Sequence, residues 1–211
     1  MTTSIAIETR ELSMSFGTEP LFNDFSFSVP AGEHIALTGP SGSGKSTMLR
    51  CLLGFTEPDS GDILINGKIL SVKSVWNIRS QMAYVPQEPD LGKGTTLDFL
   101  ERPFKYSANK LKSDNLDQLH CYIHSLGLDK KLLSSDIGSL SGGEKQRIAL
   151  VSALLLDRPI LLLDEVASAI DKANTKLVFN LLAGLTDKTI IGVVHHAEGL
   201  PFATRRIEMK I

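Results

Sequence analysis

The segment from Gly39 to Ser46 has the residue types and the spacing of a phosphate-binding loop. It reads Gly-Pro-Ser-Gly-Ser-Gly-Lys-Ser and fits the pattern G-x-x-x-x-G-K-[ST]. Glycines let successive backbone N–H groups turn toward phosphate oxygens, and the start of the following helix adds a favourable field. We expect Lys45 to reach the β and γ phosphates and the Ser46 hydroxyl to bind Mg²⁺. The phosphate-binding residues predicted from this pattern are Gly39, Pro40, Ser41, Gly42, Ser43, Gly44, Lys45 and Ser46.

Two adjacent carboxylates, Asp164 and Glu165, follow the apolar run 160–163. Ligands of parallel α/β sheets usually lie at the carboxyl ends of the strands. We expect Asp164 to support hydrated Mg²⁺ and Glu165 to polarise the water that attacks the γ phosphate, because phosphoryl transfer depends mainly on positioning and charge stabilisation. Without the phosphate-binding loop, the pair would equally fit a solvated strand end.

A second anion site is indicated by Ser141-Gly142-Gly143-Glu144, which opens a predicted helix. Ser141 and Glu144 match the capping-box pattern S-x-x-E. The two glycines cost about 1 kcal/mol each relative to alanine in a helix, so a cap gives no reason for them. Bare backbone amides at this N-terminus would hold an anionic group.

Strands and helices alternate around these motifs. In the first 70 residues, Phe25, Phe27 and Val29 alternate with serines, and Asn66-Gly67 between two apolar runs predicts a type I′ hairpin. Helical spacing predicts helices over 45–53, from Ser141 to Leu156 and from Leu177 to Leu185, with buried strands at 160–163 and 189–194. The fold class predicted is α/β, a P-loop NTPase core with a mainly parallel sheet and an N-terminal antiparallel β part.

Residues 88–138 differ in composition from the rest of the chain. They are polar and turn-rich at first, and then carry apolar residues at helical spacing, namely Leu116, Leu119, Tyr122, Ile123 and Leu126. We therefore expect a helical insert at 88–138 between two parts of one nucleotide-binding core, 1–87 and 139–211.

Composition excludes several classes of protein. The 211 residues are 42% hydrophobic, which is enough for a sizeable core, and 22 Lys and Arg against 24 Asp and Glu leave no basic field for nucleic acid. Cys51 and Cys121 lie outside any Cys-x-x-Cys pattern, which argues against a disulfide framework. No leader or spanning segment is visible, so we expect a cytoplasmic protein.

Together these motifs resemble those of the ATP-binding-cassette (ABC) ATPases, in the family's order and over nearly the whole chain. The segment from Gly39 to Thr47 is similar to the family's Walker A motif, 140–144 to its signature, and Asp164-Glu165 to the end of its Walker B motif. Four further positions resemble the Q-loop glutamine (Gln87), the D-loop (Ser168-Ala169-Ile170-Asp171), the switch histidine (His195) and the aromatic that stacks on adenine (Phe16).

The resemblance implies ATP and Mg²⁺ as ligands and a role for each matched residue. The implied catalytic residues are Glu165, His195 and Lys45, and the implied metal ligands are Ser46, Gln87 and Asp164. Residues implied to contact nucleotide beyond the phosphate-binding loop are Phe16, Thr47, Gln87, Ser141, Gly142, Gly143 and Asp171. In that family two cassettes dimerise head to tail, and the signature of one closes on ATP held by the other. This implies a homodimer, or a pair with a similar cassette.

Several positions keep a second interpretation. Phe16 would also fit the core, Gln87 an ordinary loop and His195 a strand end, while His120 and His124 are spaced for a metal but also suit a helix surface. The chain has Val166-Ala167 where the family often has Pro-Thr, Ile170 where it often has Leu and His196 where it usually has Asp. Because two histidines are adjacent, His196 is the alternative switch residue.

Two functions fit the resemblance. The first is an ATPase subunit that energises a separate transmembrane permease, which would hold the chain at the inner face of the cell membrane. The second is a soluble lone cassette, for example of the iron-sulfur assembly type. A nucleotide kinase would leave 141–144 unexplained. The family's permeases dock beside the Q-loop and the insert, here about 87–106. We expect Leu91, Phe99 and Phe104 to form either that docking surface or the local core of the insert.

Overall fold

A computed structural model describes residues 4–194 and 200–209. Its strands are β1 (Ile5–Phe16), β2 (Glu19–Pro30), β3 (His34–Thr38), β4 (Ser60–Ile65), β5 (Lys68–Ile69), β6 (Met82–Val85), β7 (Ile160–Asp164), β8 (Thr189–Val193) and β9 (Arg205–Glu208). Its α-helices are α1 (Lys45–Leu52), α2 (Val75–Arg79), α3 (Thr96–Glu101), α4 (Leu119–Ser125), α5 (Gly142–Leu155) and α6 (Lys172–Ala183). The α/β class expected from the sequence is confirmed.

The N-terminal part forms an antiparallel sheet in the order β2-β1-β4-β5. Asn66 and Gly67 connect its last two strands with φ angles of 49° and 74°. A type I′ turn requires positive φ at both central residues, and Asn-Gly is the dipeptide that tolerates them best. The predicted hairpin is therefore confirmed.

The second sheet is parallel and has the order β6-β7-β8-β3-β9. Both faces are covered, which explains why its strands are almost continuously apolar. In β7, Ile160 and Leu162 pack into one cluster, and Leu161 and Leu163 into another on the opposite face. The sheet brings the carboxyl ends of β3, β7 and β6 to one edge, with β8 between β3 and β7.

Two hydrophobic clusters share this sheet. One packs the antiparallel sheet and α1 against it, with Ile7, Leu49 and Leu52 fully buried. The other packs α5 and the insert against the opposite face, with Ile148 and Ile123 at its centre. Each side chain of this size contributes about 1.5–3 kcal/mol when fully buried. The insert is therefore packed onto the core and not merely tethered to it.

The insert contains less α-helix than the apolar spacing predicts. Leu116 lies in a 3-10 segment, Ser107–Gln118, and α4 begins only at Leu119. The side chains of Lys112 and Asn115 donate hydrogen bonds to the carbonyls of Leu156 and Leu155, at 3.1 and 2.8 Å. Because the last carbonyls of a helix lack partners within it, these bonds cap α5 and hold the segment.

The three apolar residues expected at the start of the insert belong mainly to its core. Leu91 and Phe104 are buried, and the partly buried Phe99 packs against the same cluster. The docking-surface interpretation is therefore wrong for Leu91 and Phe104, and the local-core alternative is correct.

Candidate active site

The phosphate-binding loop connects β3 to α1 as the sequence predicts. Gly44 is the N-cap of α1 in the left-handed conformation, with φ 84°, and no side chain caps the helix. No acidic residue occupies the first turn. This N-terminus therefore keeps its amides and its favourable field for an anion. Ser43 is fully buried, and its hydroxyl has no hydrogen-bond partner within the described part of the chain.

Gly39 is needed where the loop leaves β3. Its φ of 152° lies in a region that side chains rarely adopt, and an added Cβ would lie 2.5 Å from the carbonyl oxygen of Met209. This oxygen belongs to the residue directly after β9, the strand next to β3. A side chain here would force the loop away from the sheet, so the first glycine of the motif has a packing reason as well as a binding one.

Lys45 is buried and folds back on the loop that precedes it. Its Nζ donates hydrogen bonds of 2.9 and 2.8 Å to the carbonyl oxygens of Gly39 and Pro40. Burial lowers the pKa of this ammonium, while the nearby charges of Glu165 and Asp164 act in the opposite direction. The lysine is thus held at the centre of the loop, beside both carboxylates.

Asp164 links the loop to the end of β7. Its Oδ1 accepts a 3.0 Å hydrogen bond from Ser46 Oγ, and its Oδ2 accepts one of 3.3 Å from the Tyr84 hydroxyl. Burial, and then the charge of Asp164, raise the pKa of Tyr84 to about 12, so this hydroxyl stays protonated and donates. Residues that are 118 and 80 positions apart in the chain therefore meet at one carboxylate.

Glu165 lies directly after β7 in a left-handed conformation, with φ 48°. Gln87, which follows β6 by two residues, donates a 2.9 Å hydrogen bond from Nε2 to Glu165 Oε2. The two expected Q-loop and Walker B residues are thus brought together, because β6 and β7 are neighbours in the parallel sheet. The contact leaves both interpretations of Gln87 open, and its role as a metal ligand stays a prediction.

The donors at this edge suit Mg²⁺ better than a transition metal. Ser46 and Asp164 offer a hydroxyl and a carboxylate at hydrogen-bond distance from each other, and Mg²⁺ prefers one or two carboxylates together with substrate phosphates. Within residues 4–194 and 200–209, no group of three or more His, Cys, Asp or Glu side chains is placed to hold a metal. His120 and His124 are both exposed, in agreement with a helix surface.

The second predicted anion site forms the N-terminus of α5. Ser141 Oγ accepts a hydrogen bond from the Glu144 amide at 3.3 Å, and the Glu144 carboxylate accepts one from the Ser141 amide at 2.8 Å. The capping box is confirmed. The Ser141 hydroxyl also donates a 2.7 Å hydrogen bond to the Glu144 carboxylate, and this bond, followed by that from the Ser141 amide, lowers the pKa of Glu144. In the described part of the chain, no hydrogen bond connects 141–144 with the loop 39–47.

The D-loop residues lie between β7 and α6 and pack against the start of α5. Asp171 is the N-cap of α6 and accepts hydrogen bonds from the amides of Ala173 and Asn174 at 3.0 and 3.1 Å. The Asn174 side chain also donates a hydrogen bond to the Asp171 carboxylate. That bond lowers the pKa of Asp171 most, and the two backbone bonds lower it further. Ala169 lies against Gly143, where an added Cβ would be 2.9 Å from the Ala169 carbonyl oxygen. Gly143 therefore has a packing reason that sequence reasoning missed.

Two of the expected residues lie at the margins of the described site. Phe16 ends β1 with 81% of its surface exposed, so the alternative that it fills the core is wrong. His195 and the alternative His196 lie outside the described residues, which resume at Leu200. The strand that leads to them, β8, lies between β3 and β7.

A family model described as ABC transporter matches residues 22–168. The chain belongs to the ABC transporter family. It is 36% identical over 179 residues to the mesentericin-Y105 transport/processing ATP-binding protein MesD of Leuconostoc mesenteroides, which covers 83% of the chain. It is 32% identical over 211 residues to the ATP-dependent permease MDL1 of Candida albicans, which covers 95% of it. The chain spans only 25% and 31% of these two relatives.

Solved structures agree with this assignment. The dimeric post-hydrolysis structure of the ATP-binding cassette MJ0796 bound to ADP and Pi is similar at a TM-score of 0.84 and 26% identity, over 97% of this chain and 94% of that one. As an ABC ATPase, the chain binds and hydrolyses ATP. No helix among the described residues of this ABC cassette combines the length and the apolar character needed to cross a membrane.

Three features of the cassette have no signal in its motifs. Tyr84 reaches Asp164, Gln146 is fully buried beside the Q-loop, and the aromatic patch of Phe55, Val72 and Trp76 is exposed. The contact of Tyr84 depends on how β6 pairs with β7, and the burial of Gln146 depends on which face of α5 meets the Q-loop. The aromatic patch had a weak signal, since Trp76 is the only tryptophan of the chain and lies in a polar segment.

Proposed function

We propose that this cassette binds Mg-ATP at its phosphate-binding loop, pairs with a second cassette around two nucleotides and drives a permease on a separate polypeptide. The observation that carries the proposal is the 3.0 Å hydrogen bond between Ser46 Oγ and Asp164 Oδ1. It brings the loop that binds phosphate together with the carboxylates that end β7. We place the cassette at the inner face of the cell membrane, held there by the permease.

Lys45 and the first turn of α1 would bind the triphosphate. Lys45 Nζ exchanges its two carbonyl partners, Gly39 and Pro40, for oxygens of the β and γ phosphates. The ammonium is charged in both states, but the phosphate oxygens are anionic whereas the carbonyl oxygens are neutral, so the added charge attraction favours nucleotide. Ser46, Gln87 and Asp164 would hold Mg²⁺, which when bound neutralises charge on the phosphates.

Glu165 would act on the attacking water. Its carboxylate is held by Gln87 at one oxygen and lies next to Asp164, so water placed between it and the γ phosphate has a base at hand. His195 is proposed to contact the γ phosphate from the end of β8. Phe16 is proposed to stack on adenine, since its ring is exposed. The other cassette of the pair would contribute Ser141, Gly142, Gly143 and Asp171.

Replacement of Glu165 by Gln tests the catalytic assignment. The amide keeps the size and the hydrogen bonding but removes the base, so we expect ATP turnover to fall about 10²- to 10⁴-fold while ATP binding is retained. Glu101→Gln, on α3, is the matched control and should turn over at the parent rate. Turnover by phosphate release and binding by a fluorescent ATP analogue are the two measurements. Turnover by Glu165→Gln at the parent rate would show that another group activates water.

The aromatic patch is the surface that we propose for the permease. Phe55, Val72 and Trp76 are 57%, 92% and 76% exposed. The Arg79 guanidinium lies 4.4 Å from the ring centre of Phe55 and 5.4 Å from that of Trp76, and also donates to the carbonyl of Leu53. Aromatic rings beside an arginine are typical of the centre of protein interfaces.

Trp76→Asp tests this surface. We expect the variant to lose co-purification with an integral membrane protein after detergent extraction of the native cell, since a charge would be buried at the contact, and to keep its basal ATPase. Leu111→Asp, at a 98% exposed apolar residue of the insert, is the control and should keep both. The bound protein is identified by mass spectrometry. A soluble partner, or one that still binds Trp76→Asp, would contradict the proposal, and the former would favour a soluble lone cassette.

A further inference from the structure

Gln146 is a fully buried amide on α5, five residues beyond Ser141. Its Nε2 donates a 3.0 Å hydrogen bond to the carbonyl oxygen of Pro86. Its Oε1 has no hydrogen-bond partner in the described part of the chain. An amide buried with an unmatched acceptor destabilises a fold relative to an apolar side chain of the same size. The packing of α5 therefore gives no reason for a glutamine at position 146. Its hydrogen bond to the loop at Pro86 does.

The loop held by Gln146 carries the glutamine that contacts Glu165. Pro86 is followed directly by Gln87, whose Nε2 donates to Glu165 Oε2 at 2.9 Å. Two hydrogen bonds thus connect α5 with the carboxylate that follows β7. Among the described residues, the bond from Gln146 is the only hydrogen bond between α5 and the segment 86–90.

Open space borders this connection. A cavity of about 340 Å³ lies between the loop and the start of α5, lined among others by Gln87, Asp90, Gly142 and Gln146. Side chains therefore do not fix the loop by close packing on this side. The hydrogen bond from Gln146 is the polar restraint on the position of Pro86, and hence of Gln87.

We propose that Gln146 is a positioning residue that ties the Q-loop glutamine to α5. When the first turn of α5 is displaced by a nucleotide held on an opposing cassette, Gln146 carries Pro86 with it and resets the contact between Gln87 and Glu165. Each cassette would thereby adjust its own water-activating carboxylate according to the site across the dimer. This inference rests on the proposed role of Glu165.

Hydrogen exchange in the nucleotide-free chain tests the restraint without relying on catalysis. Gln146→Met keeps the volume and removes the donor, so we expect the Gly92 amide, which is hydrogen-bonded to Asp90 in this loop, to exchange about threefold to tenfold faster, the effect of losing one neutral hydrogen bond. Ser152→Ala, at another buried polar residue of α5, is the control and should leave this segment unchanged. Unchanged exchange in Gln146→Met would overturn the proposal.

A double-mutant cycle on ATP turnover tests the coupling. Gln146→Met should lower kcat with little change in KM, and should have no further effect when Gln87 is already alanine. Ser152→Ala should act independently of Gln87→Ala. The proposal would be overturned if the effects of Gln146→Met and Gln87→Ala on turnover simply multiplied. It would also be overturned if both Gln146→Met and Gln146→Leu failed to fold, because the amide would then be needed for the structure itself. If Glu165→Gln hydrolyses ATP at the parent rate, the role of Glu165 fails, whereas the exchange result still decides the restraint.

Discussion

At the scale of single residues, Asp164 shows how the site is held ready before a ligand arrives. Ser46 bonds one of its oxygens and Tyr84 the other, so the carboxylate is restrained from the phosphate-binding loop and from β6 together. A metal ligand fixed by outer hydrogen bonds keeps its orientation, and removal of such partners commonly lowers metal affinity about 10- to 100-fold. Tyr84 is therefore expected to affect the metal more than the nucleotide.

Tyr84→Phe separates these two effects. We expect the Mg²⁺ concentration for half-maximal ATPase to rise about tenfold, since the ring stays in place and only the hydroxyl of Tyr84 is lost. Binding of Mn²⁺ with a non-hydrolysable ATP analogue, followed by electron paramagnetic resonance, should weaken equally, whereas metal-free ATP binding should not change. Tyr122→Phe, at a half-buried tyrosine of α4, is the control. An unchanged Mg²⁺ requirement in Tyr84→Phe would show that its contact with Asp164 does not orient the carboxylate.

The site residues that the sequence predicts are those within or next to motifs. Lys45 and Ser46 are fixed relative to the loop by chain connectivity, and Asp164 and Glu165 by the strand before them. Tyr84 could not be found in this way, because its contact depends on the register in which it pairs with Leu162 of β7. The roles of His195 and of the individual ligands remain predictions.

At the scale of secondary-structure elements, the start of α5 is shaped by its contact with the segment before α6. An added Cβ at Gly143 would lie 2.9 Å from the Ala169 carbonyl oxygen, whereas one at Gly142 would lie 3.9 Å from the Ala169 side chain. The two neighbouring glycines therefore differ in how much space an added side chain would have. Gly143 allows α5 and the D-loop to approach closely, and Gly142 leaves its surface open.

Alanine substitutions measure that difference. Alanine favours a helix over glycine by about 1 kcal/mol, so Gly142→Ala should be neutral or raise the free energy of unfolding by up to about that amount. Gly143→Ala should lower it by about 1–3 kcal/mol, because the added methyl group displaces the Ala169 backbone. Urea denaturation followed by circular dichroism gives both values. Equal stability of the two variants would mean that the contact at Ala169 relaxes without cost.

The boundaries of elements were predicted best where local chemistry ends them. Gly54 follows α1 with φ 64°, as expected for the residue after a helix. By contrast, α6 ends at Ala183, although the apolar spacing extends to Leu185. The spacing of Leu116 was likewise misleading, since tertiary hydrogen bonds from Lys112 and Asn115 hold that segment against α5. Periodicity records which side chains are buried, and not how far a helix continues.

At the scale of the whole molecule, we propose anion sites at two helix N-termini on different parts of the chain, of which that of α5 carries a capping box with an acidic residue, Ser141 and Glu144. That of α1 has no side-chain cap, and that of α5 begins with an exposed Ser141. A single triphosphate bound at Lys45 makes use of only the first. A second copy, turned head to tail, would place its Ser141 over the γ phosphate. A similar cassette, MJ0796, has been solved as a dimer.

Glu165→Gln provides the means to observe this dimer. Because ATP would persist in the variant, we expect a shift from monomer to dimer with Mg-ATP and none with Mg-ADP, which lacks the γ phosphate that bridges the two chains. Light scattering after size-exclusion chromatography measures the mass directly. Adding Ser141→Arg to Glu165→Gln should abolish the dimer without weakening ATP binding, since the bulky side chain blocks closure but lies away from the phosphate-binding loop of its own chain. A Glu165→Gln protein that bound ATP tightly yet stayed monomeric would retain the phosphate-site assignment and contradict the head-to-tail dimer for the isolated cassette.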